Sequence, residues 1–220
     1  MTFVEVSVIV GKVVPYINMI GVLVGIYFLF QSKLNEVFQL LLIYFEISLV
    51  FNVSMELAGN YFGNNLILIP LFGFSELLFY TYFFSKSIFS KNKRSRNITL
   101  ILGGIGLGYI IFEIINSDPT KPENFQTYAR VVDALLVVTY SMIYLYNSLS
   151  NDDRLERNIF ALVSGLLVYF SLNVILLLPI NFMINEASVI KFYFWFAYTI
   201  LIILFYIFIT YILWKSGKTR

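Results

Sequence analysis

Long apolar runs follow one another along the whole chain and are separated by short polar stretches. Seven of them approach the about 20 residues that a helix needs to cross about 30 Å of hydrocarbon. They cover residues 13–31, 34–57, 66–90, 98–116, 127–149, 158–182 and 190–214. The pattern therefore predicts an all-α fold, a polytopic membrane protein built as a seven-transmembrane-helix bundle. The stretches between the runs are too short for a soluble domain, so we expect a single domain over residues 1–220.

The first apolar run has a less definite start than the others. It can begin near Phe3 instead of residue 13, and Pro15 then lies inside the helix and kinks it. The segment before it carries Glu5 where a secretory signal peptide has basic residues. We therefore expect the first span to remain in the mature protein.

The composition fits a chain that faces lipid. Apolar residues make up 59% of the sequence and charged residues 13%, whereas soluble domains have roughly 45–50% and 25%. A soluble domain cannot hide that much apolar surface from water. The net charge of +2 is too small to indicate a nucleic-acid partner.

Cysteine and histidine are both absent from the sequence. This excludes a disulfide, a thiolate nucleophile, a histidine base and a histidine-ligated zinc or haem. No Gly-x-Ser-x-Gly motif occurs either. A retinal Schiff base requires a lysine deep in the last span, where only Lys191 and Lys215 flank the apolar run. The sequence therefore predicts neither an enzyme nor a bound cofactor or metal.

The distribution of basic residues predicts the orientation in the membrane. One set of alternate connections holds eleven Lys and Arg residues, and the other set holds four, namely Lys12, Lys121, Arg130 and Lys191. Cytoplasmic loops are the ones enriched in Lys and Arg. We therefore expect the C-terminus in the cytoplasm and, because the span number is odd, the N-terminus outside.

Two spans carry pairs of small residues at a spacing of four. Gly21 and Gly25 lie in the first span, and Gly104 and Gly108 lie in the fourth. This spacing allows two helix backbones to approach closely. We interpret both pairs as contacts within the bundle, with a homodimer face as the alternative.

Acidic residues inside two neighbouring spans are the first candidates for function. At a rise of about 1.5 Å per residue, Glu46 lies roughly 18 Å up the second span and Glu76 roughly 15 Å down the third. An ionisable group at this depth costs several kcal/mol unless it is paired, solvated or neutralised. We therefore expect the two carboxyl groups to share a proton or a common polar cavity near the midplane.

A second layer of polar residues lies closer to the predicted outer surface. Glu113 ends the fourth span, and Arg130 and Asp133 begin the fifth at a spacing that allows them to pair. Asn173 lies in the outer half of the sixth span. We expect these residues to form, with Glu46 and Glu76, a ligand-binding or proton-binding interior that opens outward. The alternative is a set of hydrogen bonds that only holds the bundle together.

A short segment of the second span recurs in the sixth. Residues 41–45 read LLIYF and residues 166–170 read LLVYF. The offset of 125 residues relates spans 1–3 to spans 5–7 and leaves the fourth as a linker. Small transporters often contain such repeats, although short apolar segments also recur by coincidence.

Four short segments carry a resemblance to a known group of proteins. They are Asn64-Asn65-Leu66, residues 75–80 with Glu76, residues 164–173 ending at Asn173, and Trp214-Lys215. In these segments the chain resembles an uncharacterised family of small seven-span membrane proteins of Bacteroidota. The resemblance covers spans 2–3 and 6–7, implies the same architecture and marks Glu76 and Asn173. Members of that family often have a histidine near the third-span glutamate, where this chain has Phe72 and Phe74.

Three functions are compatible with these features. The outward polar interior and the absence of an output domain favour a receptor-like sensory or regulatory protein of the bacterial inner membrane, acting through a membrane or cytoplasmic partner. The midplane acids and the repeat favour a small-solute or proton-coupled transporter. The third alternative is a structural subunit of a membrane complex. A pocket closed on its cytoplasmic side would favour sensing, and a continuous aqueous path would favour transport.

Overall fold

The computed structural model describes residues 3–116, 128–150, 157–183 and 190–218. These residues form seven helices that are long and apolar enough to cross a membrane, which confirms the predicted fold class. The helices are α1 (Phe3–Phe30), α2 (Glu36–Phe62), α3 (Leu68–Phe83), α4 (Lys93–Asn116), α5 (Ala129–Ser150), α6 (Arg157–Met183) and α7 (Ile190–Lys218). Lys121, Arg154 and Arg220, which contribute to the predicted orientation, lie outside the described residues.

Local sequence signals explain where several helices begin and end. The Asn35 side chain accepts a hydrogen bond of 3.1 Å from the backbone N–H of Phe38, which satisfies one free donor at the start of α2. Asn92 caps α4 in the same way through the backbone N–H of Ser95. Gly63 ends α2 with a φ of +66°, a conformation that costs glycine little. At its C-terminal end, α3 continues into one π-helical turn, Phe84–Ile88.

The structure decides between the two predicted starts of helix α1. The helix begins at Phe3 and includes Pro15, so the structure adopts the earlier of the two predicted starts. At 28 residues, α1 is longer than the roughly 20 residues that cross the hydrocarbon. The extra turns place its beginning beside α7, where the Phe3 ring lies 4.4 Å from the ring of Tyr193.

The helices pack in a ring with one member outside it. In the order α1, α2, α3, α5, α6 and α7, each helix packs against the next, and α7 packs against α1. Helix α4 packs against α3 and α5 from outside the ring. We call the end of the bundle where α1, α3, α5 and α7 begin the outer end, and the opposite end the inner end, after the orientation that the charges predict.

The interior of the ring is unusually aromatic. Tyr44, Tyr80, Phe83, Phe170 and Phe205 are almost completely buried, and their rings contact one another across α2, α3, α6 and α7. Large aliphatic side chains such as Val50, Ile105 and Ile175 instead point outward and are more than 60% exposed. Exposed aliphatic side chains are expected when the solvent around the helices is lipid, because lipid tails are as apolar as these side chains.

The ring order has the form that the predicted repeat requires. An offset of 125 residues relates the contacts α1–α2 and α2–α3 to α5–α6 and α6–α7, and relates α3–α5 to the closure of α7 on α1. The same offset relates the pair Tyr44 and Tyr80, with ring centroids 5.1 Å apart, to the pair Tyr169 and Phe205, 3.7 Å apart. The two halves therefore place equivalent aromatic pairs at equivalent positions.

The glycine pairs divide between two roles. A side chain at Gly21 would overlap Phe45 and Thr210, and one at Gly25 would overlap Leu42, so this pair forms close contacts within the bundle as predicted. The same interpretation is wrong for Gly104 and Gly108, which have no atom near enough to contact an added Cβ. The close contacts of α4 with α3 and α5 are made instead by Gly103 and Gly106, which lie on a different face of the helix. A homodimer through Gly104 and Gly108 stays a prediction.

The two glycine environments predict opposite responses to the same substitution. Gly21→Ala forces a methyl group against the buried Phe45 ring and should lower stability by about 1–3 kcal/mol, as overpacking typically does. Gly104→Ala adds a methyl group in open space and replaces a poor helix former, so stability should stay the same or rise. Thermal unfolding of both variants in one detergent measures the difference. Equal destabilisation by the two substitutions would contradict this packing.

Candidate functional site

An ion pair lies inside the helix ring. The Glu76 carboxyl group on α3 contacts the guanidinium of Arg130, which lies in the first turn of α5. Both residues are buried, with exposed fractions of 1% and 4%. The Tyr44 hydroxyl on α2 donates a hydrogen bond of 2.6 Å to the other oxygen of Glu76. The ring of Phe72 lies 4.5 Å from the guanidinium carbon and gives the cation an aromatic face.

Asp133 adds a second carboxyl group to this pair. Its Oδ2 accepts a bond of 3.4 Å from Arg130 Nη1, the same nitrogen that contacts Glu76. The predicted pairing of Arg130 with Asp133 inside the bundle is therefore confirmed. We call Glu76, Arg130 and Asp133 the charge cluster. It has two carboxyl groups for one guanidinium, and Oδ1 of Asp133 is buried with no hydrogen-bond partner among the described residues.

The position of α5 explains how an Arg in its first turn reaches Glu76. A Cβ built on Gly73 of α3 would lie 3.3 Å from Cδ of Arg130 and 3.4 Å from the carbonyl carbon of Ala129. Helix α5 thus begins beside Gly73, more than one turn below the start of α3. The absent side chain at Gly73 leaves room for the start of α5, and this close approach carries the guanidinium to the level of Glu76.

Glu113 belongs to the start of α5. Its two carboxylate oxygens accept hydrogen bonds from the backbone N–H groups of Tyr128 and Ala129, at 3.1 and 3.2 Å. These are donors that the helix itself cannot satisfy, and a carboxylate is favourable at a helix N-terminus. The predicted neighbourhood of Glu113 and Arg130 follows from this cap, which fixes the turn that carries Arg130.

Glu46 lies elsewhere, and the expectation that it shares a cavity with Glu76 is wrong. Its side chain is exposed on the outside of the ring, in a groove between α2 and α3, whereas Glu76 is buried inside. The depth estimate was adequate, but depth does not determine which face of a helix a residue occupies. On α2 it is Tyr44, two positions earlier, that faces the interior and contacts Glu76.

Asn173 lies inside the bundle on α6 and is fully buried. Both of its amide atoms lack a hydrogen-bond partner among the described residues, as does the buried hydroxyl of Tyr80. Buried polar groups are usually satisfied, and unsatisfied ones mark sites where function or an internal water is expected. The structure therefore places Asn173 in the interior, and its predicted part in a ligand site stays a prediction.

A polar pocket opens at the outer end of the ring, between α1, α2 and α7. We call it the outer pocket. Its volume is about 290 Å³, and its polar lining consists of Lys12, Asn52, Glu56, Asn65, Trp195, Tyr198 and Thr199. One basic and one acidic side chain line the same pocket, with amide groups and aromatic faces between them.

Two side chains connect the lining of the outer pocket to the interior. The Tyr198 hydroxyl accepts a bond of 3.4 Å from Nη2 of Arg130. Asn52 donates a hydrogen bond of 3.0 Å to the hydroxyl of the buried Tyr206. A molecule in the outer pocket would therefore lie one side chain away from the charge cluster.

Aromatic side chains close the interior below the charge cluster. Tyr80 and Phe84 lie one and two turns beyond Glu76 on α3 and its π-helical extension, and Tyr140 lies two turns beyond Asp133 on α5. All three are fully buried, and the rings of Phe84 and Tyr140 lie 5.6 Å apart. Phe170 and Phe205 complete this layer from α6 and α7. We call these five residues the aromatic layer.

The sequence indicated only part of this site. Tyr44 and Tyr198 complete the charge cluster, yet they were two among 16 tyrosines in an apolar chain. Tyr44 lies within the repeated segment at residues 41–45, which was a signal for the first. For Tyr198 there was none, because its contact with Arg130 joins α7 to α5 across the ring.

The fold and the buried cluster define the class of this protein as a multi-pass, seven-helix membrane protein. Comparisons with family models, curated proteins and solved structures give no match.

The charge balance of the cluster predicts how its members tolerate neutralisation. Arg130→Met leaves two buried carboxyl groups without a cation and should cost about 3–5 kcal/mol of stability, as breaking a buried pair does. Asp133→Asn leaves Glu76 and Arg130 as a neutral pair and should cost much less. Lys12→Met, which removes a positive charge from the exposed outer pocket, is the control for net charge. Thermal unfolding in detergent would contradict this balance if Asp133→Asn were as damaging as Arg130→Met.

Proposed function

We propose that this protein is a receptor-like sensory or regulatory membrane protein. In this proposal a small polar molecule enters the outer pocket from outside the cell, and the charge cluster responds to it. The observation that carries the proposal is the contact of Tyr198, a pocket residue, with the Arg130 guanidinium. The proposal gives the protein no catalytic step.

In this proposal the charge cluster is an element with two states. Nη1 of Arg130 contacts Glu76 and also lies 3.4 Å from Asp133, so one cation has two acidic partners. A ligand changes an equilibrium only through its different affinity for the two states. A ligand that displaced the Tyr198 hydroxyl would change the position of the guanidinium between its partners, and α3 and α5 would move relative to each other.

The aromatic layer supports sensing over transport. A transported solute must pass the whole bundle, and five buried aromatic residues occupy the space between the charge cluster and the inner end. Below the charge cluster, the polar groups Thr81 and Tyr140 bond to each other across 3.3 Å. The interior of the bundle is thus packed between the charge cluster and the inner end in this conformation.

Transport is the second candidate, because one observation favours it. The ring order and the two equivalent aromatic pairs fit a repeat of spans 1–3 in spans 5–7. In a repeat-based transporter the two halves move against each other and expose a central site to alternate sides. The aromatic layer would then be one closed gate.

Thiol labelling of single-cysteine variants distinguishes the two functions, since the natural chain has no cysteine. A membrane-impermeant thiol reagent should modify Thr199→Cys, in the outer pocket, from outside intact cells. Ser141→Cys should resist the reagent from both sides, because Ser141 is fully buried two turns beyond Asp133. The control is the cysteine-free chain.

Two results would overturn the sensory proposal. Labelling of Ser141→Cys would indicate an aqueous path past the charge cluster and would favour transport. Labelling of Thr199→Cys only from the cytoplasmic side would show that the outer pocket faces the cytoplasm. Denatured samples of each variant, labelled in parallel, show that the introduced cysteine is reactive.

A further inference from the structure

A carboxyl group faces the surrounding lipid near the middle of α2. Glu46 lies three residues from the centre of the helix Glu36–Phe62, which at about 1.5 Å per residue is within roughly 5 Å of its midpoint. Its side chain is exposed, and none of the described residues forms an ion pair with it. An unpaired carboxylate at this depth costs several kcal/mol. Among the described residues, no cation offsets the cost of an ionised Glu46.

Glu46 belongs to a regular stripe along the exposed face of α2. Ile43, Val50, Val53 and Leu57 are between 41% and 64% exposed. With Glu46 they alternate at spacings of three and four residues, which places all five on one face of the helix. Helix α1 exposes apolar residues at the same spacings, so the spacing alone identifies no partner. What distinguishes α2 is that Glu46 interrupts an otherwise apolar lipid-facing surface.

A groove accompanies this stripe. It lies between α2 and α3, with Glu46 on one wall and Ser75, Leu78 and Tyr82 on the other, and its volume is about 750 Å³. That is several times the about 150 Å³ cavity that admits a benzene molecule. The groove therefore has room for several side chains of a neighbouring helix. Its lining is almost entirely apolar apart from Glu46, Ser75 and the Tyr82 hydroxyl.

We infer that the groove binds a single transmembrane helix of another protein, which carries a lysine or arginine near its middle. The charge identifies the occupant: a basic side chain at mid-depth would pair with Glu46 and remove the cost of leaving it in lipid. The apolar stripe supplies packing above and below the ion pair. Intramembrane charges are found paired with one another in this way.

A second copy of this chain fits the groove less well. A two-fold contact places the same patch of both copies together, so Glu46 would face its own carboxyl group. A contact of Glu46 with another face of a second copy needs an exposed cation at mid-depth. In the described part of the chain, Arg130 is buried, Lys12 lines the outer pocket, and the remaining basic residues lie near helix ends. Charge complementarity therefore favours a different protein.

This inference rests on the proposed function in one respect, because it supplies the membrane partner through which a receptor-like protein would act. The groove is formed by α2 and by the outward face of α3, while Tyr44 and Glu76 occupy the inward faces of the same two helices. A movement of Glu76 would therefore be transmitted to the groove wall by Ser75 and Leu78, its neighbours on α3. The docking itself is testable without any ligand.

The test uses a synthetic transmembrane peptide as the probe. The peptide is a leucine-rich helix with one central lysine, and the control peptide has leucine at that position. The full-length protein and each peptide are reconstituted in phosphatidylcholine vesicles, and association is measured by fluorescence energy transfer. We expect the lysine peptide to associate roughly ten-fold more tightly than the control, the size of an interhelical polar contact in a membrane.

Four protein variants locate the contact. Glu46→Gln should abolish the preference for the lysine peptide, whereas Glu56→Gln, on the same helix but in the outer pocket, should retain it. A peptide with a cysteine one turn from its lysine should form a disulfide with Val50→Cys. It should not react with Ile105→Cys, which is equally exposed on α4.

Three outcomes would overturn the inference. They are equal association of the lysine and leucine peptides, a preference that persists in Glu46→Gln, and self-association of the protein that Glu46→Gln disperses. The last outcome would assign the groove to a second copy. Each of them leaves the labelling of Thr199→Cys unchanged, so a failure of the docking inference is separable from a failure of the sensory proposal.

Discussion

Arg130 carries a guanidinium into the interior of a bundle that is surrounded by lipid, and its pairing with Glu76 determines much of what lies around it. Neither charge can be left alone at this depth, because an unpaired ion in the hydrocarbon costs several kcal/mol. The pair therefore fixes α5 against α3, with the first turn of α5 beside Gly73. The Glu113 cap and the Tyr44 hydroxyl then bring α4 and α2 to the same point.

The same interaction places the charge cluster next to an opening. Tyr198 belongs to the wall of the outer pocket and contacts Arg130 from α7. Three helices of the ring, α3, α5 and α7, thus meet at the guanidinium, and α2 joins them through the hydrogen bond of Tyr44 to Glu76. Asp133 supplies a second carboxyl group, so the cluster holds more acid than base.

The sequence was sufficient to predict the class of fold, because the length of an apolar run and the thickness of a membrane set the number of helices. It also located Arg130 and Asp133 on one face, since a spacing of three residues decides this locally. The partnership of Arg130 with Glu76 was not predictable in the same way. It depends on how far α5 begins below the start of α3, which is a property of packing between helices separated in sequence.

Glu46 shows the other limit of sequence reasoning. Its depth in α2 could be counted, but its direction depended on the rotation of the helix, which the aromatic residues Tyr44 and Phe45 decide by packing inward. In a soluble protein an acidic residue would simply mark the outer face. In a membrane protein the outer face contacts lipid. An acidic residue in the middle of a membrane helix is therefore expected to face the interior of the bundle or a partner. The interior was the expectation, and the structure places Glu46 on the surface.

A double-mutant cycle on Glu76 and Arg130 tests most directly whether this pair organises the bundle. The free energy of unfolding in detergent is measured for the wild-type protein, Glu76→Gln, Arg130→Met and the double variant. We predict that the double variant is less destabilised than the two single changes added together, by about 1–3 kcal/mol, as for residues in one buried network. Additivity within about 0.5 kcal/mol would mean that the two residues contribute independently, and would contradict a structure built around their pairing.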